Sequence, residues 1–233
     1  HPGAASWTRL LLWASALGAA ADLAVMALVG EVIPPLLVGA LLTGVGIALV
    51  QRRPRAGIAM FGILALLLVI TGAPFAGPSL AHPESPTSFV HGAIHLLSRL
   101  VAVAAAVGAW RDASPVTARR TGWVSGAVVG ATLAVAAVAT VAVDGDTAED
   151  GDVVVAVEGA EFPETVRVAT GGSLFVENDD LIHHSFTVDG TDISHQLPAR
   201  TGVRFTVDLA PGTYEVICEV PGHDAMQADL VVG

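Results

Sequence analysis

The sequence predicts a protein of two parts: a bundle of about five transmembrane helices over residues 1–143, and an antiparallel β-sandwich over residues 153–233. Hydrophobic residues make up 53% of the 233 residues and charged residues only 14%, which is too apolar for a soluble globular protein. Long apolar runs fill the first part and give way to short, partly alternating runs in the second. Residues 1–143 contain 8 arginines and 4 acidic residues, whereas residues 144–233 contain 3 arginines and 18 acidic residues.

Five apolar stretches are about as long as the roughly 20 helical residues that cross a bilayer core. These stretches are residues 7–29, 32–50, 56–75, 89–110 and 121–143. Pro34 and Pro35 allow the second helix to begin only near them. A cleaved signal peptide is the alternative for the first stretch, because the alanines at 19–21 offer a cleavage pattern. The apolar run continues past them to Val29, which favours a membrane span.

Arginines between the apolar stretches predict the orientation. They lie in two of the four connections, at 52–55 and at 111–120, and the other two connections carry none. Because basic loops remain on the cytoplasmic side, the N-terminus is expected inside and the C-terminal domain outside. The chain is therefore expected to be a multi-pass protein of the cell membrane with its second part extracytoplasmic.

Ionisable residues interrupt two of the apolar stretches. His91, His95 and Arg99 are spaced four apart and so share one helix face, and Asp22 lies in the first stretch. Such groups inside a bilayer pair with one another or face a cavity. One interpretation is an Asp22–Arg99 ion pair with the histidines hydrogen-bonded nearby. The other is a second metal site on His91 and His95. The residues that could complete that metal site are Asp22, Glu31 and His82.

The second part begins after an acidic segment, residues 144–152, which is predicted to be a linker. Short runs separated by Gly, Asp and Pro turn signals then predict seven strands without a helical period. A chain of this kind and size suggests an antiparallel sandwich. The predicted strands are residues 153–157, 165–169, 173–177, 185–188, 203–209, 214–218 and 228–232.

Three metal-binding side chains lie close together near the C-terminus. Cys218, His223 and Met226 fall within nine residues on a predicted strand-end loop, where a thiolate, an imidazole and a thioether can converge on one soft ion. The His183–His184 pair can supply a second imidazole. Copper electron-transfer sites have this arrangement: two histidines and a cysteine, with a weak axial methionine. Because Cys218 is the only cysteine, a dinuclear copper centre that needs two thiolates is excluded.

Four further segments of the second part match a known family: EFPETVRVATGGSLFVENDD at 161–180, HSF at 184–186, APGTY at 210–214 and CEVPGH at 218–223. With these segments the second part resembles the cupredoxin family of blue copper proteins over about residues 153–232. The resemblance implies a Greek-key sandwich that holds one mononuclear copper ion.

The same resemblance implies a ligand set. His184, Cys218 and His223 correspond to the in-plane ligands and Met226 to the axial ligand. His184 is preferred to His183 because the family's ligand precedes a small polar residue and then an apolar one, as His184 does here. The interval from His223 to Met226 is one residue shorter than in azurin, a member of that family.

Two functions are consistent with these features. The first is a membrane-anchored type 1 copper protein, not an enzyme, that carries single electrons outside the cytoplasm. Its redox partner would have a basic docking surface, because residues 144–233 carry a net charge of −15, which also argues against nucleic acid as a partner. The second is copper capture, delivery or sensing by the outer domain together with a His91/His95 membrane site, because five spans exceed what a tether requires.

Overall fold

The computed structural model describes residues 2–30 and 32–233. Within these ranges the chain forms five α-helices followed by eight β-strands, which confirms the predicted fold class. The chain divides into two compact units. One comprises residues up to Leu80 together with Phe89–Val135, and the other comprises Ala81–Ser88 together with Ala136–Gly233.

The five helices of the described chain are all long and apolar enough to cross a membrane. Each begins at a proline. Proline suits the first helical turn because an N–H group there has no acceptor within the helix, so its absence costs no hydrogen bond. The second helix begins at Pro34, as predicted. The helices are α1 (Pro2–Val29), α2 (Pro34–Arg52), α3 (Pro54–Ser79), α4 (Pro86–Trp110) and α5 (Pro115–Ala142).

Alanines on α4 allow close packing within the first unit. Ala102 and Ala105 are fully buried there and join a cluster that includes Trp7 and Leu11 of α1 and Phe61 of α3. Small residues let helix backbones approach closely in lipid, where apolar side chains gain nothing from leaving water. This packing brings α4, which carries His91, His95 and Arg99, against α1, which carries Asp22.

The strands form a sandwich of two sheets. One has three strands in the order β1-β3-β6, and the other has five in the order β2-β8-β7-β4-β5. Alternate apolar side chains, among them Val155, Leu174, Phe186 and Leu230, point between the sheets and form one core. The strands are β1 (Val153–Val157), β2 (Thr165–Val168), β3 (Ser173–Asn178), β4 (His184–Val188), β5 (Ser194–Leu197), β6 (Gly202–Thr206), β7 (Gly212–Ile217) and β8 (Gln227–Val232).

The sandwich is mixed, which corrects the prediction of a strictly antiparallel one. β1 pairs with β3, and β2 with β8, in parallel. Between β1 and β3 the chain crosses to the other sheet as β2, and so β3 returns beside β1 in the same direction. The alternation of apolar residues does not indicate strand direction, so the parallel pairing could not be predicted from it. The edge strand β5 was not predicted, because its sequence Ser-His-Gln-Leu is short and mostly polar.

The acidic segment before the sandwich lies along β6. The Asp146 N–H donates to the Gly202 carbonyl at 2.9 Å, and the Asp146 carboxylate accepts the Arg204 N–H at 2.8 Å. The Arg204 guanidinium in turn donates to Asp152 at 2.8 Å and 3.0 Å. These bonds fix the segment that leads into β1.

Candidate metal centre

Strand pairing brings the candidate ligands to one end of the five-stranded sheet. His184 is the first residue of β4, and Cys218 directly follows β7. β4 and β7 are antiparallel, with Thr187 opposite Ile217. The start of β4 therefore lies at the same end as the close of β7, and the two side chains meet although they are 34 residues apart in sequence.

The loop between β7 and β8 is folded tightly enough to return His223 to Cys218. Gly222 has a φ of +95°, which a residue with a side chain rarely adopts, and the His223 N–H donates to the Val220 carbonyl at 3.0 Å. Met226 donates its N–H to the His223 carbonyl at 2.8 Å and accepts the Cys218 N–H at 3.2 Å. The Met226 side chain is only 2% exposed, so the loop closes on a buried thioether.

Three donor atoms, one from β4 and two from this loop, lie close together. His184 Nδ1 lies 3.1 Å from His223 Nδ1, which lies 3.6 Å from Cys218 Sγ, and all three atoms are within 4.8 Å of one another. A transition ion bonds imidazole nitrogen at about 2.0 Å and thiolate sulfur at about 2.3 Å, so two such bonds span up to about 4 Å. The 3.1 Å and 3.6 Å separations are within that reach. The three residues therefore fit one ion.

A carboxylate fixes the orientation of the His184 ring. Asp180 Oδ2 lies 2.9 Å from His184 Nε2, so Nε2 carries the proton and the lone pair of Nδ1 points toward Cys218 and His223. The Asp180 carboxylate also accepts the N–H groups of Gly159 and Ala160. Burial raises the pKa of Asp180, but these donors and His184 together hold that pKa below its ordinary value. The carboxylate is thus ionised at neutral pH.

Ser185 supplies hydrogen-bond donors to the sulfur. Its N–H lies 3.4 Å from Cys218 Sγ and its Oγ lies 4.0 Å away. The hydroxyl is itself positioned by the Glu219 N–H, which donates to it at 2.8 Å. Donors to a thiolate stabilise its negative charge and tune a metal bound to it.

The two imidazoles are neutral at pH 7. Burial, followed by repulsion from His184, lowers the pKa of His223 to about 4. Burial also lowers the pKa of His184, although the hydrogen bond and charge of Asp180 act in the opposite direction. Only a neutral imidazole offers a lone pair to a metal, so both rings have the net charge that a metal site requires.

Asn178 braces the segment that leads into His184. Its fully buried amide group donates to the carbonyls of Ile182 at 3.0 Å, Leu197 at 2.9 Å and Pro198 at 3.1 Å. Its Oδ1 accepts the Asp180 N–H at 3.0 Å. A satisfied buried network of this kind rigidifies its surroundings, so the position of His184 is fixed before any ion arrives.

In the first unit, the structure brings the four ionisable residues together as an ion-pair cluster. Asp22 Oδ2 lies 2.7 Å from Arg99 Nη2. Asp22 Oδ1 lies 3.1 Å from His91 Nε2 and 2.8 Å from His95 Nδ1. Arg99 also donates to Thr43 Oγ1 at 3.3 Å, and its side chain is only 1% exposed. Asp22 therefore joins α1 to α4 through three donors.

A metal site at these residues is a less favourable interpretation than the ion-pair cluster, because of the charge that a metal ion would add. The donor atoms of Asp22, His91 and His95 do lie within 4.8 Å of one another. However, the charges of Asp22 and Arg99 already cancel, and an added cation would bring an uncompensated charge among these buried side chains. Of the other suggested donors, Glu31 lies outside the described residues.

Sequence reasoning missed the residues that support the ligands. Asp180 ends the segment 161–180 that resembles the family, but nothing in its spacing shows that it orients His184. His82, suggested above as a donor that could complete the metal site on His91 and His95, lies against Glu84 and His183. His183 is 3% exposed, and burial, followed by nearby histidines, lowers its pKa to about 4. The sequence offers one signal for the role of His82: it is one of the few histidines near the predicted spans.

The fold and the His/Cys/His donor group are those of a cupredoxin-like domain, which confirms the resemblance over about residues 153–232. No protein-family model matches the chain. No curated protein sequence matches it either.

Solved structures similar to this chain include copper proteins of the cupredoxin fold. A reduced mutant of amicyanin shares 19% identity over 37% of this chain and 86% of its own, with a TM-score of 0.32. The Cu(I) form of another amicyanin mutant at pH 4 has 22% identity and a TM-score of 0.31 over the same shares. A copper-containing nitrite reductase from Thermus scotoductus has 22% identity and a TM-score of 0.32 over 40% of this chain and 24% of its own.

Proposed function

We propose that this protein is a membrane-anchored type 1 copper protein that carries single electrons. The observation that supports this most strongly is the convergence of His184, Cys218 and His223, with Met226 buried on the same loop. Two imidazoles, a thiolate and a thioether form the donor set of copper electron-transfer sites. Copper bound there would alternate between Cu(I) and Cu(II), taking up and releasing one electron.

The residues around the site suit rapid electron exchange because they are already held in place. Asp180 fixes the ring of His184, Asn178 fixes the segment before it, and Ser185 fixes the sulfur. A preorganised site has little to rearrange when its charge changes. His223 is half-buried rather than fully enclosed, so its imidazole is the proposed route by which electrons enter and leave.

We also propose that the copper domain lies outside the cytoplasm. If each of the five helices crosses the membrane once, the arginine-bearing connections at 52–55 and 111–120 share one side and the C-terminal end of α5 lies on the other. A membrane-impermeant protease added to sealed, right-side-out vesicles should then release a fragment that contains Cys218. Protection of that fragment until the vesicles are lysed would contradict this orientation.

The function is tested by loading the full chain, in detergent, with Cu(II). The proposal predicts one copper per chain and an intense visible thiolate-to-copper band that disappears on one-electron reduction and returns on reoxidation. The acidic domain predicts a second result: reduction by a cationic one-electron reagent slows as ionic strength rises, whereas reduction by an anionic one accelerates. A protein that binds copper but shows no reversible band would be contrary to the proposal.

A further inference from the structure

The loop between α3 and α4 belongs to the same compact unit as the β-sandwich. Ser85 anchors it: its side chain is fully buried, and its Oγ accepts the Ala199 N–H at 3.0 Å. Ala199 directly follows Pro198, one of the residues that Asn178 holds. The loop is thus tied to the same segment that the Asn178 brace connects to the approach to His184.

The ring of His82, in this loop, packs on His183, which is next to the candidate ligand His184. The two rings are stacked, with centroids 4.7 Å apart and planes 27° from parallel. Glu84 holds the ring in place, because its Oε1 lies 3.0 Å from His82 Nδ1. His183 is only 3% exposed and immediately precedes His184, so the stack encloses the backbone that leads into the ligand.

A second metal site on these histidines does not fit the arrangement. Stacked rings direct their in-plane lone pairs along nearly parallel planes rather than toward one point. His82 Nδ1 is already bonded to Glu84, while His183 Nδ1 has no hydrogen-bond partner among the described residues. Among the described residues, neither His82 nor His183 belongs to a group of three or more His, Cys, Asp or Glu side chains close enough to share a metal ion. The pair is therefore better understood as a cover than as a chelate.

We propose that the α3–α4 loop is a fixed cover of the metal centre, and that His82 is a positioning residue that keeps water from His184 by stacking on His183. This inference rests on the proposed function. With a thiolate ligand, the site carries one more positive charge in the Cu(II) state than in the Cu(I) state. Excluding water disfavours the more highly charged state, so the cover favours Cu(I).

The test compares His82→Ala and His82→Phe in the copper-loaded full chain. His82→Ala removes the ring and is expected to weaken the preference for Cu(I) over Cu(II) by roughly tenfold, the lower end of outer-shell effects. For a one-electron couple, tenfold is a fall of about 59 mV in reduction potential. His82→Phe keeps a stacking ring without the bond to Glu84, so its potential should remain near the wild-type value. His195→Ala is a matched control, because it removes a histidine stacked on Phe205 in the same unit.

A copper-free readout separates failure of this inference from failure of the proposed function. Backbone hydrogen exchange over residues 182–185 should be faster in His82→Ala than in the wild type, and near wild-type in His82→Phe and His195→Ala. Equal potentials, or equal exchange rates, in wild type and His82→Ala would overturn the cover, as would a His82→Phe variant that behaves like His82→Ala. If the wild type binds no copper, the proposed function fails, and exchange alone decides whether the cover exists.

Discussion

Replacing Cys218 by serine is expected to abolish the visible copper band and to lower copper affinity by more than about 100-fold. The reason is that a serine hydroxyl remains protonated at neutral pH and is a hard donor, whereas the site needs a soft thiolate. Removing an outer-shell partner alone costs 10–100-fold in affinity, so removing a direct ligand should cost more. Optical titration of the full chain with Cu(II), with and without the substitution, measures both effects.

Ser185→Ala is the matched control for this substitution. It removes the hydroxyl that lies 4.0 Å from Cys218 Sγ but keeps the backbone N–H at 3.4 Å. The band should therefore persist with a shifted maximum. A Cys218→Ser protein that keeps the band, or that binds copper as tightly as the wild type, would show that the sulfur is not a ligand.

Replacing Asp22 by leucine is expected to destabilise the helical unit by about 3–5 kcal/mol, the usual effect of removing one partner from a buried ion pair. The cause is Arg99, whose side chain is 1% exposed and would remain buried without its 2.7 Å partner. The double variant Asp22→Leu with Arg99→Leu removes both charges and should recover much of that loss. Equilibrium unfolding in mixed detergent measures the free energy of unfolding of each variant.

Thr43→Val serves as the control, because it removes only the weaker 3.3 Å acceptor of Arg99 and should cost about 1 kcal/mol. The same variants distinguish the two interpretations of the cluster. An ion-pair cluster predicts unchanged copper per chain in Asp22→Leu. A loss of one copper per chain, with little change in unfolding free energy, would favour a membrane metal site instead.

The helices could be predicted because membrane insertion depends on a local property, the length of an apolar run. The Cys218 loop could be predicted for a similar reason, since three ligands lie within nine residues. The pairing of His91, His95 and Arg99 on one face followed from helical spacing. In each case the signal lies within a single helix or a single loop.

Features that depend on distant residues could not be predicted in this way. Ser85 bonds to Ala199 across 114 positions, and no local pattern relates the two. The parallel pairing of β2 with β8 likewise joins strands from opposite ends of the domain. Asp180 is near His184 in sequence, but only the folded turn directs its carboxylate at Nε2. Such contacts arise from topology, which periodicity and composition do not encode.

X-ray absorption at the copper edge of the full chain tests most directly whether a single ion is held by His184, Cys218 and His223. The proposed centre predicts one sulfur and two imidazole nitrogens at bonding distance, about 2.0–2.3 Å by comparison with other first-row ions. The sulfur contribution should disappear in Cys218→Ser, and one imidazole should be lost in His223→Ala. A wild-type spectrum with only nitrogen and oxygen neighbours would contradict the assignment of the metal centre.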